Sequence, residues 1–273
     1  MIDLIAEIGW NHMGDIELAE KMIIAAKQSG ATHAKFQNWK VSKLKTGPWD
    51  NDGRRDIYEK AELSNEKTNR LYDICSKHHI KFLTSIFDSE EAEFIASIDN
   101  QIIKIPSPEL RNDKLLLKCS NLFKCVILST GASNLDEVKN SVEVIKNNNK
   151  KCKIILLHCV SLYPCEDKNV RLKRINSLKN MHDHIGISDH TPDSLSSILS
   201  IPFGIKAIEK HFTIDNNLPG RDNKFALLPE EFLKISIATK RYNEMFNTAI
   251  EDSEFLEQEM EVREIYSGRW SGN

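Results

Sequence analysis

The run IILLHC, residues 154–159, is apolar almost without interruption and then ends in polar side chains. A strand buried on both faces has this composition, whereas a strand with one wet face alternates apolar and polar residues. Similar runs recur along the chain. They predict eight strands, at Ile2–Glu7, His33–Gln37, Phe82–Phe87, Ile102–Ser107, Val126–Thr130, Ile154–Cys159, Ile185–Asp189 and Ala207–Phe212.

Amphipathic segments with helical spacing separate most of these runs. Asn134 before two acids predicts a helix start, and Gly30 after Ser29 predicts a helix end. Strands that alternate with helices favour a parallel sheet, and eight is the strand number of the closed (β/α)8 TIM barrel. An open doubly wound sheet is the alternative, but the sequence lacks its GxGxxG turn. The predicted helices are Glu17–Ser29, Glu66–His79, Ser89–Ile98, Asn134–Asn147, Asp193–Ser200 and Pro229–Phe246.

Composition excludes several classes of protein. The 273 residues carry a formal charge of −3, which indicates neither a nucleic-acid nor a membrane partner. No apolar stretch approaches the ~20 residues of a membrane helix, and no secretory segment is visible. Six cysteines without a CxxC pair favour reduced thiols over a disulfide framework. These features predict a cytoplasmic protein.

Two segments fall outside the repeating pattern. The polar stretch 38–63, which contains TGPWDNDGRR, predicts a long loop over one end of the barrel. The charged segment beyond Ile250 predicts a surface helix followed by a frayed end. We therefore expect a barrel over residues 1–250 and a charged tail over residues 251–273.

Polar side chains cluster at the predicted strand ends, where TIM barrels place their active sites. One such residue is more often structural, but a ring of them predicts a donor-rich pocket for phosphate or carboxylate. His190 and His211 end neighbouring strands. Two adjacent imidazoles suit a divalent metal ion, although hydrogen-bonded core histidines are an equal alternative. The strand-end residues are Glu7, Lys35, Gln37, Thr84, Lys104, Ser107, Ser129, Thr130, His158, Ser161, Tyr163, Ser188, Asp189, His190, Glu209, Lys210 and His211.

The chain resembles the N-acetylneuraminate (sialic acid) synthase family, which includes the legionaminic and pseudaminic acid synthases. The resemblance runs from about Ile5 to about Phe232 and implies a phosphoenolpyruvate-binding TIM barrel. It rests on AEIGWNHMGD, AKFQ, FLTSIFD, IKIPSPEL, LSTGASNLDE, LLHCVSLYPC, GISDHTPDS and AIEKHFTID, followed by PGRD.

The resemblance implies a transferase that condenses phosphoenolpyruvate with an acylamino sugar aldehyde to a nonulosonic 3-deoxy-2-keto acid, releasing phosphate. His190 and His211 would hold Mn²⁺ or Mg²⁺. Glu7 and Asp222 are the implied acids near the acceptor sugar and the attacking water, and Gln37 faces the pocket. The implied phosphoenolpyruvate contacts are Lys35, Thr84, Lys104, Ser107, Ser161, Tyr163 and Ser188.

The resemblance also implies a homodimer in which an antifreeze-like domain of one subunit covers the other's barrel. We expect this chain to lack that domain, so that a separate cap protein, or Arg54, Arg55 and Arg221, would take its place. Two other functions stay open on sequence alone. One is a non-catalytic sugar-binding relative, and the other is a metal-dependent sugar aldolase or isomerase on the same barrel.

Overall fold

The computed structural model describes residues 2–246 and 255–271. Its strands form one closed parallel barrel in sequence order, with β8 returning to pair with β1. The predicted TIM barrel is confirmed, and the open sheet is wrong. The strands are β1 Asp3–Gly9, β2 His33–Asn38, β3 Lys81–Ile86, β4 Ile102–Ile105, β5 Cys125–Ser129, β6 Lys153–Cys159, β7 Ile185–Asp189 and β8 Ala207–His211.

Helices surround the barrel, and the described residues form ten of them. Three short ones, α2, α5 and α7, were not predicted, because six to ten residues give little helical periodicity. The helices are α1 Ile16–Gln28, α2 Arg54–Ala61, α3 Asn65–Lys77, α4 Glu91–Ile98, α5 Asp113–Leu122, α6 Leu135–Asn148, α7 Arg174–Lys179, α8 Leu195–Ser200, α9 Pro229–Phe246 and α10 Met260–Tyr266.

The two helix ends predicted from sequence are confirmed. Asn134 Oδ1 accepts from the Glu137 amide at 2.9 Å, and the Glu137 carboxylate accepts from the Asn134 amide at 2.9 Å, which forms a capping box. Gly30 follows α1 with φ +87°, and a Cβ there would lie 2.1 Å from Ser236 Oγ. Both the backbone conformation and the close approach of α9 therefore require glycine.

The segment 38–63 is more ordered than a simple loop. It contains two short 3₁₀ turns, Val41–Lys43 and Pro48–Asp50, and then α2. Its aromatic rings pack together, with Trp39 6.0 Å from Tyr58 and 6.1 Å from Phe87 between centroids. Sequence composition missed this because breakers and charges outnumber the few large apolar residues that hold the segment. In the predicted tail, α10 is exposed throughout, and residues 251–254, 272 and 273 lie outside the described residues.

The inside of the barrel changes from apolar to polar along the strands. Ile5, Leu83, Ile127, Leu157 and Ala207 form a buried apolar cluster of their own. Side chains two residues further along a strand point to the same face. The same five strands therefore next present a polar layer, which consists of Glu7, Ser85, Ser129, Cys159 and Glu209.

The barrel is not uniformly joined. β3 and β4 share one register pair, Ser85 with Lys104, whereas the other neighbouring strands share three to six. We call this weakly paired β3–β4 boundary the seam, and its one register pair lies at the polar layer.

No helix among residues 2–246 and 255–271 has both the length and the apolar character to cross a membrane.

Candidate active site

A cavity of about 150 Å³ opens at the carboxyl end of the barrel, and all eight strands contribute to its wall. Nine of the twelve predicted site residues line it, which are Glu7, Lys35, Gln37, Lys104, Ser107, Tyr163, Ser188, His190 and His211. Thr84, Ser161 and Asp222 do not. The wall is completed by Ser85, Phe87, Pro106, Pro108, Ser129, Cys159 and Glu209.

Four buried charged residues form the floor, and we call Glu7, Lys35, Lys104 and Glu209 the inner charge set. Each is at most 5 % exposed. Lys35 Nζ lies 2.6 Å from Glu7 Oε2 and 3.7 Å from Glu209 Oε2, and Lys104 Nζ lies 3.6 Å from Glu209 Oε1. Glu7 thus meets the cation that its position at a buried strand end required.

Hydrogen bonding in the inner charge set is incomplete. The Lys104 ammonium makes one long bond of 3.5 Å to the Ile105 carbonyl. Glu209 Oε1 accepts from Ser188 Oγ at 2.9 Å, but its Oε2 has no hydrogen-bond partner among the described residues. An ammonium offers three donors, so Lys35 and Lys104 retain donors for an anion that enters the cavity.

Burial and charge shift the pKa values of this set in different directions. Burial raises the pKa of Glu7 despite the attraction of Lys35. Burial also acts to raise the pKa of Glu209, but Lys104 and Lys35 outweigh it and the pKa is lowered. Burial lowers the pKa of Lys104. Glu209 is therefore the stable counter-charge, whereas Glu7 is the carboxylate that can take up a proton.

His190 and His211 lie side by side, with ring centroids 5.4 Å apart. His190 Nδ1 is 2.8 Å from the Val160 carbonyl, so it carries the proton and leaves the Nε2 lone pair unused. His211 Nδ1 is buried and has no hydrogen-bond partner in the part of the chain that the structure describes. Burial lowers the pKa of His190 to about 4 and that of His211 well below its ordinary value.

Two neutral imidazoles with unused lone pairs fit a divalent ion. Residues 2–246 and 255–271 contain no group of three His, Cys, Asp or Glu side chains that could hold a metal. The histidine pair therefore fits a site in which water and substrate would supply the other ligands.

Ser107 and Ser161 meet at a glycine. The Gly131 amide donates to Ser107 Oγ at 3.0 Å. A Cβ on Gly131 would lie 2.3 Å from Ser161 Oγ and 2.8 Å from Ser107 Oγ, so a larger residue there would have to displace both hydroxyl groups. Ser161 is therefore adjacent to the cavity wall without lining it.

Thr84 and Asp222 have other partners. The Thr84 hydroxyl donates to Asn38 Oδ1 at 2.7 Å, and Ser85 takes the position in the cavity wall. Asp222 accepts from Trp10 Nε1 at 2.7 Å, and its Oδ2 lies 3.8 Å from His211 Nδ1. Burial raises the pKa of Asp222 to about 6. Asp222 thus borders the histidine pair, whereas Thr84 supports β2 from behind.

Glu209 is the main residue that sequence reasoning left out of the site. Its position at the end of β8 makes it one of the strand-end acids, but the resemblance implies acidic site residues only at Glu7 and Asp222. The signal was its position two residues before His211, which places both side chains on the same face of β8. The predicted substitute cations Arg54 and Arg55 are instead paired with Asp52 and Asp50, at 2.7 and 2.6 Å.

Comparison with known proteins identifies a matching family and several similar synthases. The model of the NeuB family matches residues 22–251. N,N'-diacetyllegionaminic acid synthase of Campylobacter jejuni is 35 % identical over 93 % of this chain and 80 % of its own length. N-acetylneuraminate-9-phosphate synthase of Drosophila melanogaster is 31 % identical over 88 % of this chain and 67 % of its own length.

A solved structure shares the same architecture. N-acetylneuraminic acid (sialic acid) synthetase of Leptospira borgpetersenii, determined in complex with citrate, superposes with a TM-score of 0.87 at 31 % identity. The match covers all of this chain and 93 % of that one.

Proposed function

Because the chain belongs to the NeuB family, we propose that it condenses phosphoenolpyruvate with the aldehyde of an acylamino sugar to a nonulosonic 3-deoxy-2-keto acid. The observation that carries this proposal is the inner charge set, in which two buried lysines retain hydrogen-bond donors opposite the histidine pair. Two buried lysines with unused donors favour a substrate that carries both a phosphate and a carboxylate, which argues against a sugar isomerase.

Lys35 and Lys104 are the proposed anion-binding residues. They stand on β2 and β4 and reach the cavity floor from opposite sides of β3. Phosphoenolpyruvate carries a phosphate and a carboxylate, and two ammonium groups can bind both while fixing the enol between them. Ser107 and Ser188 add hydroxyl groups at the cavity wall, and Gln37 and Tyr163 complete the surface that the substrates contact.

The bond changes balance without a further reactant. C3 of phosphoenolpyruvate attacks the aldehyde carbon, whose oxygen takes a proton and becomes a hydroxyl. C2 is left electron-poor and adds water, which loses one proton to leave a hydroxyl group on C2. The C2–O bond to phosphate then breaks while this hydroxyl becomes the C2=O keto group, and its proton leaves with the phosphate. We assign the water-derived proton to Glu7, because its raised pKa suits a carboxylate that accepts protons.

The aldehyde end of the reaction lies near the histidines. His190 and His211 would hold the divalent ion, Mn²⁺ or Mg²⁺, which supplies Lewis-acid polarisation of the aldehyde oxygen when bound. Asp222 has a pKa of about 6 and borders His211, so it can deliver the proton that this oxygen needs. Thr84 and Ser161 act indirectly, through Asn38 and Gly131.

We further propose that the protein works in the cytoplasm as a homodimer. All six cysteines are free thiols, which supports a reducing compartment. The dimer rests on the family resemblance, and sedimentation of the purified protein tests it.

The reaction itself is tested by mixing purified protein with phosphoenolpyruvate, Mn²⁺ and a panel of acylamino hexoses. We expect acceptor-dependent release of inorganic phosphate. His190→Ala combined with His211→Ala should lose Mn²⁺ binding, measured by equilibrium dialysis, while the circular dichroism stays that of the wild type. No phosphate release with any acceptor would contradict the synthase, and isomerisation without phosphoenolpyruvate would favour the alternative enzyme.

A further inference from the structure

A small cavity of about 10 Å³ lies behind the wall of the catalytic cavity, and the two cavities share Ser188 and His190. Its wall also contains His158 of β6 and Asp189 of β7. His158 is in register with Ile187, and Asp189 follows two residues later, so both side chains lie on the outer face of the barrel wall. The volume is close to the roughly 10–15 Å³ that one water molecule needs.

His158 has one ring nitrogen in use and one without a partner. The residue is 1 % exposed, and its Nε2 lies 2.6 Å from the Val170 carbonyl. A carbonyl can only accept, so Nε2 carries the proton. Burial lowers the pKa of His158, which keeps the imidazole neutral and leaves Nδ1 as an acceptor. This Nδ1 is buried and has no hydrogen-bond partner among the residues that the structure describes, and an unpaired buried acceptor is costly.

Asp189 supplies a second acceptor in the wall of the small cavity. Its Oδ2 accepts from Lys210 Nζ at 2.8 Å and from Ser197 Oγ at 2.6 Å. For Oδ1 the described residues supply one donor, the Thr191 amide at 2.9 Å, and a carboxylate oxygen can accept two. One water molecule has two hydrogens, so it can donate to His158 Nδ1 and to Asp189 together, whereas the cavity is too small for a larger ligand.

The loop that joins β6 to α7 is tied to the barrel by three hydrogen bonds. His190 Nδ1 donates to the Val160 carbonyl at 2.8 Å, and the Cys165 amide donates to the His190 carbonyl at 2.8 Å. The bond from His158 to the Val170 carbonyl ties the far end of the same loop to β6. His158 therefore holds the part of the loop that His190 does not reach.

The same loop carries Tyr163, which lines the catalytic cavity. The ring centroid of Tyr163 lies 4.1 Å from that of His190 and 5.9 Å from that of His211. A displacement of the loop would therefore move Tyr163 relative to the histidine pair and withdraw the Val160 carbonyl from His190 Nδ1.

We propose that the small cavity binds one water molecule, which donates to His158 Nδ1 and to Asp189, and that His158 is a positioning residue for the catalytic site. His158 binds Val170 through Nε2 and the water through Nδ1, and thereby fixes the loop that places Tyr163 and orients His190. The water site does not depend on the reaction. The effect on metal binding also rests on the proposed function, since it takes His190 to bind the divalent ion.

A crystal structure of the wild-type protein tests the water directly. We expect one water oxygen within about 3.2 Å of both His158 Nδ1 and an Asp189 carboxylate oxygen. The nitrogen-15 spectrum should show His158 protonated at Nε2 and unprotonated at Nδ1. A cavity without water, or a proton on Nδ1, would overturn the inference.

Three substitutions separate the two hydrogen bonds of His158. His158→Gln retains a donor near the Nε2 position, His158→Asn retains an acceptor near the Nδ1 position, and His158→Phe removes both. Hydrogen exchange of the Cys165 amide, which donates to His190, reports the loop without metal. We expect this exchange to be about fivefold faster or more in His158→Phe, the factor that the loss of one hydrogen bond typically gives. If His158→Phe does not fold, the other two variants should each show about a two- to threefold change.

His182→Phe is the matched control. His182 Nε2 lies 2.7 Å from the Ile154 carbonyl near the amino end of β6, so this variant loses the same kind of bond away from the site. Mn²⁺ affinity, measured by equilibrium dialysis, should fall roughly three- to tenfold in His158→Phe and stay unchanged in His182→Phe. The expected loss is smaller than the roughly 10–100-fold typical of a group bonded directly to a metal ligand.

A purely structural role predicts a different result. His158→Phe would then lose stability, measured by urea denaturation, while the Cys165 exchange relative to His182→Phe and the Mn²⁺ affinity stayed unchanged, and the inference would be overturned. If the wild-type protein bound no Mn²⁺, the proposed function would fail. The crystal structure and the Cys165 exchange rate would still decide the inference.

Discussion

The inner charge set and a second buried ion pair lie on opposite faces of the barrel wall, and β8 contributes one residue to each. Glu209 and His211 point into the barrel, whereas Lys210 between them points outward and meets Asp189 of β7. Lys210 Nζ donates to Asp189 at 2.8 Å, to the Thr191 carbonyl at 2.6 Å and to Thr191 Oγ1 at 2.9 Å. We call Asp189 and Lys210 the outer pair.

The two clusters differ in completeness. All three donors of Lys210 are used, and Asp189 also accepts from the Thr191 amide and from Ser197 Oγ. Burial acts to raise the pKa of Asp189, but Lys210 outweighs it and the pKa is lowered. In the inner charge set, Lys104 approaches Glu209 only to 3.6 Å, and Glu209 Oε2 lacks a partner among the described residues. A closed pair supports the fold, whereas an open one is suited to a ligand.

The largest effect is expected for Lys210→Met. Asp189 would remain buried without its cation, and breaking such a pair typically costs about 3–5 kcal/mol in the free energy of unfolding. Urea denaturation measures this loss, and calorimetric titration should show unchanged phosphoenolpyruvate affinity in the folded protein. Adding Asp189→Asn should restore part of the stability. A stable single variant with weakened binding would erase the distinction between the clusters.

For Lys104→Met we expect weaker phosphoenolpyruvate binding and only a small loss of stability. A charge-assisted hydrogen bond contributes roughly 1.5–3 kcal/mol, so phosphoenolpyruvate affinity should fall by about tenfold or more. The free energy of unfolding should decrease less than in Lys210→Met, because Glu209 keeps Lys35 at 3.7 Å and the Ser188 hydroxyl at 2.9 Å as partners. Loss of stability comparable to that of Lys210→Met would show that the inner charge set also supports the fold.

His12 tests the effect of burial on the pKa of an imidazole whose hydrogen bond is to a neutral backbone amide. Its Nδ1 accepts from the Gly14 amide at 3.1 Å, its Nε2 has no partner within the described ranges, and burial lowers its pKa from 6.5 to about 4. The unfolded chain therefore binds more protons between these values, and stability falls as pH decreases through them. The contribution should be about 2 kcal/mol between pH 7 and pH 5.

His12→Asn keeps an acceptor near the Nδ1 position and removes this titration. Urea denaturation of both proteins at the two pH values should show a smaller loss for the variant. Identical losses would mean that burial alone does not keep this imidazole neutral.

The smallest effect is expected at an exposed pair. Lys139 and Glu143 lie one helical turn apart on α6, 3.9 Å between charged atoms, with side chains 65 % and 56 % exposed. Lys139→Ala should change the free energy of unfolding by no more than about 0.5 kcal/mol. A change similar to that of Lys210→Met would show that burial does not decide the cost of losing a cation here.

The sequence predicted the barrel because its strands are apolar on both faces and the site residues end those strands. Because both faces of these strands are apolar, the sequence does not show which side chains point into the barrel. In the run Phe82–Phe87, Thr84 and Ser85 are both polar and both neighbours are apolar, so nothing in the pattern assigns either to the cavity. The structure places Ser85 there, in register with Lys104. A shift of one residue exchanges the two faces of a strand.

The sequence also does not show which of the charged side chains pair with each other. Asp189, Glu209 and Lys210 were all noted as strand-end residues, but their division into an open and a closed cluster depends on contacts between β7, β8 and the loop that carries Thr191. The aromatic packing of residues 38–63 likewise depends on Phe87, which follows another strand. These features are long-range, whereas sequence patterns report local periodicity.

The single register pair between β3 and β4 has a consequence for hydrogen exchange. Backbone amides exchange their hydrogens through local unfolding, which is easiest where few hydrogen bonds join neighbouring strands. The amide hydrogens on the facing edges of β3 and β4 should therefore exchange before those of the rest of the barrel. Lys35 and Lys104 lie on either side of this seam, on β2 and β4. An anion held by both lysines would clamp the strands across β3, and ligand binding would protect from exchange the part of the barrel that opens most readily.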